Sequence, residues 1–161
     1  MIRLAQSVDL ETIREIWNYY ILHTNYNYDY EAKTKEQIES WFYSKQERGF
    51  PVFVLEDDGK VQGYGSYDLF RPHSGYLHSA EHGLYFSPTS QGRGYGKKLM
   101  NHLINSAKEK GFTTFVAGID SSNKGSLIFH ERMGFKEVAR FEKIGYKNKE
   151  WLDCIFMQKQ F

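Results

Sequence analysis

The stretch Gln91-Gly92-Arg93-Gly94-Tyr95-Gly96-Lys97-Lys98 sets three alternate glycines between a strand-like run and an amphipathic helix pattern. No other segment constrains the fold as strongly. Glycines at this spacing let the backbone curl so that successive N–H groups face inward, and the helix that follows adds positive partial charge. Such a turn cradles phosphate, with Arg93, Lys97 and Lys98 supplying side-chain charge. It is not a Walker A loop, which requires Gly at the position of Gln91 and Ser or Thr at Lys98. A dinucleotide fingerprint requires Gly at Lys97, or at Leu99 in the other register, and both fail. The plain alternative is a turn that only opens a helix.

The rest of the chain resolves into strands and helices around that loop. Ile2–Leu4 is a short strand, and Ser7 or Asp9 can cap a helix whose Leu10, Ile13, Trp17, Tyr20 and Ile21 share one stripe. A weaker helix runs from Lys35 to Tyr43. Val52–Leu55 and Val61–Tyr67 flank Asp58-Gly59 as a hairpin. A further strand covers Tyr76 to Phe86, the strong helix Lys97 to Lys110, a strand Phe112 to Gly118 and a helix Asn123 to Met133. Two strands close the chain, near 136–141 and 150–159. The expectation is one α/β (α+β) domain over 1–161, with a mixed sheet of about seven strands and helices on both faces.

Composition narrows the function classes. With 161 residues, 40% hydrophobic and 25% charged, the chain is neither disordered nor, with a longest apolar run of Phe50 to Leu55, able to cross a membrane. Its start lacks the apolar stretch of a signal peptide, so a cytoplasmic location is expected. A net charge of +1 without a basic run argues against nucleic acid. The single Cys154 excludes an internal disulfide and a cysteine-rich zinc site, and no metal is expected. Aromatics reach 17%, and six of them fall between Trp17 and Tyr30.

Read as Gln/Arg-x-x-Gly-x-Gly/Ala, Gln91 to Gly96 resembles the pyrophosphate loop of the GCN5-related N-acetyltransferases. Asn123-Lys124-Gly125-Ser126 through Gly134-Phe135 is similar to a second motif of that superfamily at matching spacing. Within it, Asn18-Tyr19-Tyr20-Ile21, Ser79 to Phe86, Leu127 to Glu131 and Gly145-Tyr146-Lys147 with Trp151 and Asp153 look like phosphinothricin and methionine sulfoximine/sulfone acetyltransferases. The resemblance spans essentially the whole chain. It implies acetyl-CoA as donor, the α-amine of a small amino acid as acceptor, and a homodimer.

Residue roles follow from that resemblance. Glu81 is the base that removes the ammonium proton; otherwise it is a solvated strand carboxylate. His130 stands where the wider superfamily has a Tyr acid, and acid, base and positioning roles are all open. His82, next to Glu81, should face the other way and be structural. Gly83 suggests a bulge that frees N–H groups around Leu84, Tyr85 and Phe86 for the thioester carbonyl and pantetheine. Coenzyme contacts fall to those three, to Gln91, Gly92, Arg93, Gly94, Tyr95, Gly96 and Lys97, and to Asn123 and Ser126. Arg71 would clamp the acceptor carboxylate, with Tyr28 and Tyr76 in the acceptor wall. Hydroxyls there would suit a sulfone, sulfoximine or phosphinate. Peptide acetylation and non-catalytic acyl-CoA sensing are the alternatives.

Overall fold

The computed structural model describes residues 1–90 and 92–161. Its elements run β1 (Ile2–Leu4), α1 (Leu10–His23), α2 (Lys35–Glu47), β2 (Val52–Asp57), β3 (Lys60–Leu69), β4 (Ser79–Phe86), α3 (Tyr95–Glu109), β5 (Thr114–Asp120), α4 (Lys124–Arg132), β6 (Lys136–Lys147) and β7 (Glu150–Gln160). The strands form one mixed seven-stranded sheet in the order β1-β2-β3-β4-β5-β7-β6. Among the described residues, only β4 and β5 pair in parallel. Helix α3 makes the crossover between them, as a parallel pair requires.

Alternation along the strands sends side chains to two cores. Val52, Val54 and Tyr64 pack with Ile13, Ile16, Ile38 and Phe42 beneath α1 and α2. Phe53, Leu55, Tyr67, Phe115, Ala117 and Ile155 pack with Leu99, Leu103 and Ile104 of α3 on the other face. Covering on both faces explains why Val52–Leu55 is uninterruptedly apolar and buried.

Several elements differ from expectation for identifiable reasons. α2 extends a turn past Tyr43 to Glu47, because Lys45 is buried and its ammonium donates to Tyr67 O and Asp68. Thr34 caps that helix, accepting from Gln37 N while Gln37 Oε1 accepts from Thr34 N. Asp9 occupies the N-cap position of α1, but its carboxylate takes Arg3 and the Gln6 amide instead of the helix. β6 continues to Lys147, beyond an irregularity after Phe141, because β7 pairs with it up to the Asn148-Lys149 turn.

Candidate active site

The feature that opens the sheet is the parting of β4 from β5. Their pairing covers only Ser79–Glu81 against Thr114–Val116. β4 meanwhile stays in unbroken register with β3 from Ala80 to Phe86. The expected bulge at Gly83 is therefore absent, and splayed strands produce the exposed amides instead. Ser87 N donates to Gln62 O and Phe70 N donates to Ser79 O, so odd-numbered β4 residues turn their backbone groups toward β3. Alternation leaves the Leu84 and Phe86 amides facing the gap, while Tyr85 N–H belongs to the β3 ladder. Phe86 O is already taken by the Tyr20 hydroxyl at 2.8 Å. The gap thus offers donors, the polarity a thioester oxygen and pantetheine amides need.

α3 begins beside this gap. Gly92 and Gly94 adopt φ of +80° and +73°, conformations that side-chain-bearing residues rarely tolerate. Gly94 is the N-cap and offers no side chain, so the first-turn amides of α3 remain available to an anion. A Cβ on Gly96 would lie 3.0 Å from the Phe129 ring, so the missing side chain lets α4 approach. Lys97 and Lys98 are exposed. Arg93 and Tyr95 are otherwise engaged: the Tyr95 hydroxyl donates to Asp57, and the Arg93 guanidinium leans on both, 3.8 Å from the Asp57 carboxylate. Tyr95 is buried and anchors the helix start to the β2–β3 hairpin. Gln91 lies outside the described residues.

Glu81 and His130 stand on opposite faces of the sheet. Glu81 shares its face with Gly83 and Tyr85, whose ring stacks on Tyr64 beneath α1 and α2. Burial raises the Glu81 pKa above the ordinary carboxylate value, and Arg71 partly opposes the shift. Arg71 Nη1 is 3.9 Å from Glu81 Oε2, and its guanidinium lies over the Phe70 ring at 4.2 Å. Tyr76 packs edge-on against the same Phe70. Across the gap in β5, Gly118 is exposed in an otherwise buried strand, and a Cβ there would lie 3.4 Å from Glu81 Oε1. Two bare positions, Gly83 and Gly118, thus flank the carboxylate.

On the other face, His82 is buried and stacks on His130 with ring centroids 5.3 Å apart. Burial drives the His82 pKa down to about 3 and that of His130 below its ordinary value. His130 Nδ1 is 2.7 Å from Ser126 O, and a carbonyl only accepts, so Nδ1 carries the proton. In the neutral ring Nε2 is then a lone pair, buried and without a partner. Ser126 Oγ lies 3.3 Å from the same Nδ1. Asn123 Oδ1 accepts from Ser126 N and caps α4.

Tyr28 sits at the end of β5. Its hydroxyl donates to Asp120 at 2.8 Å and its ring covers Gly145, so the hydroxyl is not presented to a ligand. Burial and Asp120 raise its pKa. Asp120, at the end of β5, is a residue of the candidate site that motif reading missed. Buried, it also accepts from Ser122 N and Oγ, and Asp followed by Ser-Ser-Asn is a recognisable turn signal.

Comparison with known proteins identifies the family and the fold. The family model described as an acetyltransferase (GNAT) domain matches residues 2–156. The chain is 38% identical over 159 residues to the L-amino acid N-acyltransferase MnaT of Escherichia coli (strain K12), covering 99% of this chain and 92% of that one. It is 37% identical to the L-methionine sulfoximine/L-methionine sulfone acetyltransferase of Salmonella typhimurium, covering 99% and 93%. The structure of yncA, a putative acetyltransferase from Salmonella typhimurium described with its cofactor acetyl-CoA, superposes with a TM-score of 0.95 at 37% identity, covering 99% and 92%.

Proposed function

The chain belongs to the GNAT acetyltransferase family, and we propose that it transfers acetyl from acetyl-CoA directly to the α-amine of a small amino acid of the methionine sulfone, methionine sulfoximine or phosphinothricin type. One observation carries the acceptor class: a carboxylate base and a guanidinium stand 3.9 Å apart on one face, the separation scale of the two charged groups of an α-amino acid. The ammonium sits by Glu81 and the carboxylate by Arg71. The names of the relatives, an L-amino acid N-acyltransferase and a methionine sulfoximine/sulfone acetyltransferase, support the same reading. The 161 residues act as one acetyltransferase domain.

The donor side fits acetyl-CoA. Gly92, Gly94, Gly96 and Lys97 with the α3 N-terminus receive the pyrophosphate, while Arg93 and Tyr95, held on Asp57, brace the turn. Leu84 and Phe86 amides hold the arm and the thioester oxygen in the gap; Tyr85 contributes its ring to the acceptor side. Asn123 and Ser126 border the arm from α4. Among the described residues no cluster of three His, Cys, Asp or Glu is arranged to hold a metal ion.

An aliphatic ammonium has a pKa of about 10, so little is nucleophilic at neutral pH. Ionised Glu81 takes one proton, the amine nitrogen bonds to the carbonyl carbon, and the oxyanion forms where the β4 amides point. The C–S bond then breaks toward the α4 face, and the second proton leaves the nitrogen for the departing thiolate, so the products are the amide and the free thiol. His130 stands there as a donor-side positioning group: an acid would have to be the imidazolium, which burial disfavours, and the neutral ring keeps its one proton on Nδ1 against Ser126 O. Tyr28 shapes the wall with its ring, and Tyr76 steadies Phe70 beneath Arg71.

Two further readings accompany this one. The chain works as a homodimer through the β6 edge, which exposes Val138, Ile144 and, on β7, Trp151 at 55%, 60% and 62%. It works in the cytoplasm, where a free thiol such as Cys154 stays reduced. No described helix is long and apolar enough to cross a membrane. The function is tested by product analysis: acetyl should appear on the α-nitrogen of methionine sulfone, and an acceptor with that amine blocked should give none. Acetylation of peptides without free amino acids would overturn it.

A further inference from the structure

The segment Gly145-Tyr146-Lys147 carries a feature the reaction leaves unexplained. Lys147 is 4% exposed, yet it bears an ammonium that meets no carboxylate at contact distance. It donates to three main-chain carbonyls: Ile21 O at 2.6 Å, Thr24 O at 3.0 Å and Asn27 O at 2.6 Å. Ile21 lies in the last turn of α1, whose final carbonyls have no partner within the helix. Thr24 and Asn27 belong to the loop that carries Tyr28 and Tyr30. One charged nitrogen therefore gathers the negative end of α1 and the tyrosine loop onto the β6–β7 hairpin, more than a hundred residues away in sequence.

Weaker ties surround it. The Tyr30 hydroxyl donates to Tyr146 O, Asn148 Nδ2 donates to Asn25 Oδ1 at 2.7 Å, and Asn25 Nδ2 donates to Glu150 at 3.2 Å. These are exposed and easily exchanged for water; the Lys147 bonds are not. A buried ammonium costs far more than a neutral side chain unless its bonds are charge-assisted and complete, as three carbonyls make them.

We infer that Lys147 is a positioning residue for acceptor recognition: it holds residues 24–28 in the shape that seats the Tyr28 ring over Gly145 and its hydroxyl on Asp120, two residues along β5 from the Gly118 that faces Glu81. The inference rests on the acceptor site proposed above. It assigns to Lys147 no contact with acetyl-CoA, whose binding elements lie on α3, α4 and the β4 side of the gap. Its bonding geometry is also specific. Three carbonyls converge on one tetrahedral nitrogen, and a guanidinium spreads its donors over a larger planar fork rather than presenting them from that one point.

The test compares Lys147→Met and Lys147→Arg with the wild type by amide hydrogen exchange and steady-state kinetics. In both variants, exchange should accelerate at 24–30 and stay unchanged in β4 and α3. The acceptor KM should rise about tenfold or more, as displacement of a positioning group does, with acetyl-CoA KM within about twofold. Failure of the arginine variant to rescue distinguishes point coordination from mere charge. Should Lys147→Met not fold, Lys147→Arg alone carries the test through the same exchange and KM readouts.

Unchanged exchange at 24–30, an unchanged acceptor KM, or equal rises in both KM values would overturn the inference. A wild type that acetylates peptides but no free amino acid would count against the proposed acceptor alone, and the KM split measured with the peptide would still decide the role of Lys147.

Discussion

Replacing Glu81 with Gln separates catalysis from folding more cleanly than any other substitution at this site. The amide keeps the volume and the packing over Gly118, where the carboxylate oxygen stands 3.4 Å from a Cβ position. Arg71 loses an ion pair of 3.9 Å but is about half exposed, so stability should change by no more than about 0.5 kcal/mol. Removing a general base costs roughly 10²–10⁴ in rate. Arg71 and the oxyanion amides remain, so we expect the lower part of that range, 10²–10³, which is about 3–4 kcal/mol of barrier. The pH profile carries the sign. Burial raises the pKa of Glu81, so wild-type kcat/KM should rise with pH through a group titrating above an ordinary carboxylate. That limb should vanish in Glu81→Gln, leaving only the climb from deprotonation of the free acceptor amine. Thiol release measures the rate, and calorimetric titration with acetyl-CoA should show unchanged affinity. A loss below about fivefold, or an equal loss of coenzyme affinity, would refute the assignment.

Other substitutions probe the rest of the account. Arg71→Ala should raise the KM of an amino acid about tenfold or more while leaving a carboxylate-free amine unaffected, measured by the same assay. Gly118→Ala fits at ordinary contact distance, whereas the extra methyls of Gly118→Val crowd Glu81 and the Phe156 ring 3.6 Å away. Acceptor kcat/KM should fall about tenfold or more in the valine variant, with acetyl-CoA KM unchanged. Arg3→Met should cost about 3 kcal/mol in denaturant unfolding, because Asp9 is 5% exposed and would lose its guanidinium partner. Arg3 lowers the Asp9 pKa, so this stabilisation is present at neutral pH and lost as pH falls through the folded-state value. In the Met variant that acid sensitivity should shrink.

What the sequence made legible was local. The alternate glycines at 92, 94 and 96 fix a turn and a helix start whatever surrounds them, and the alternation of Glu81 and His82 puts them on opposite faces. The apolar stripe of α3 likewise needs no tertiary information. The parting of β4 and β5 does. It depends on how far two strands separated by a whole helix keep their register, and Gly83 suggested a bulge because a strand glycine is compatible with either arrangement. Side-chain destinations were illegible for the same reason. Tyr28 reads as a hydroxyl for the pocket until Asp120, 92 residues away, claims it. Lys45 falls past the expected helix end at Tyr43, yet the helix runs on through it because its ammonium is held on Tyr67 O. Long polar side chains buried by distant partners leave no periodic trace.

Thiol release from acetyl-CoA, measured with purified protein against methionine sulfone, methionine sulfoximine, phosphinothricin, ordinary amino acids and short peptides, decides whether the enzyme acetylates free amino acids. Rapid release with the oxidised-sulfur or phosphinate amino acids, rising with pH, is the predicted result. Release with peptides alone, or coenzyme binding with no release from any amine, would contradict it.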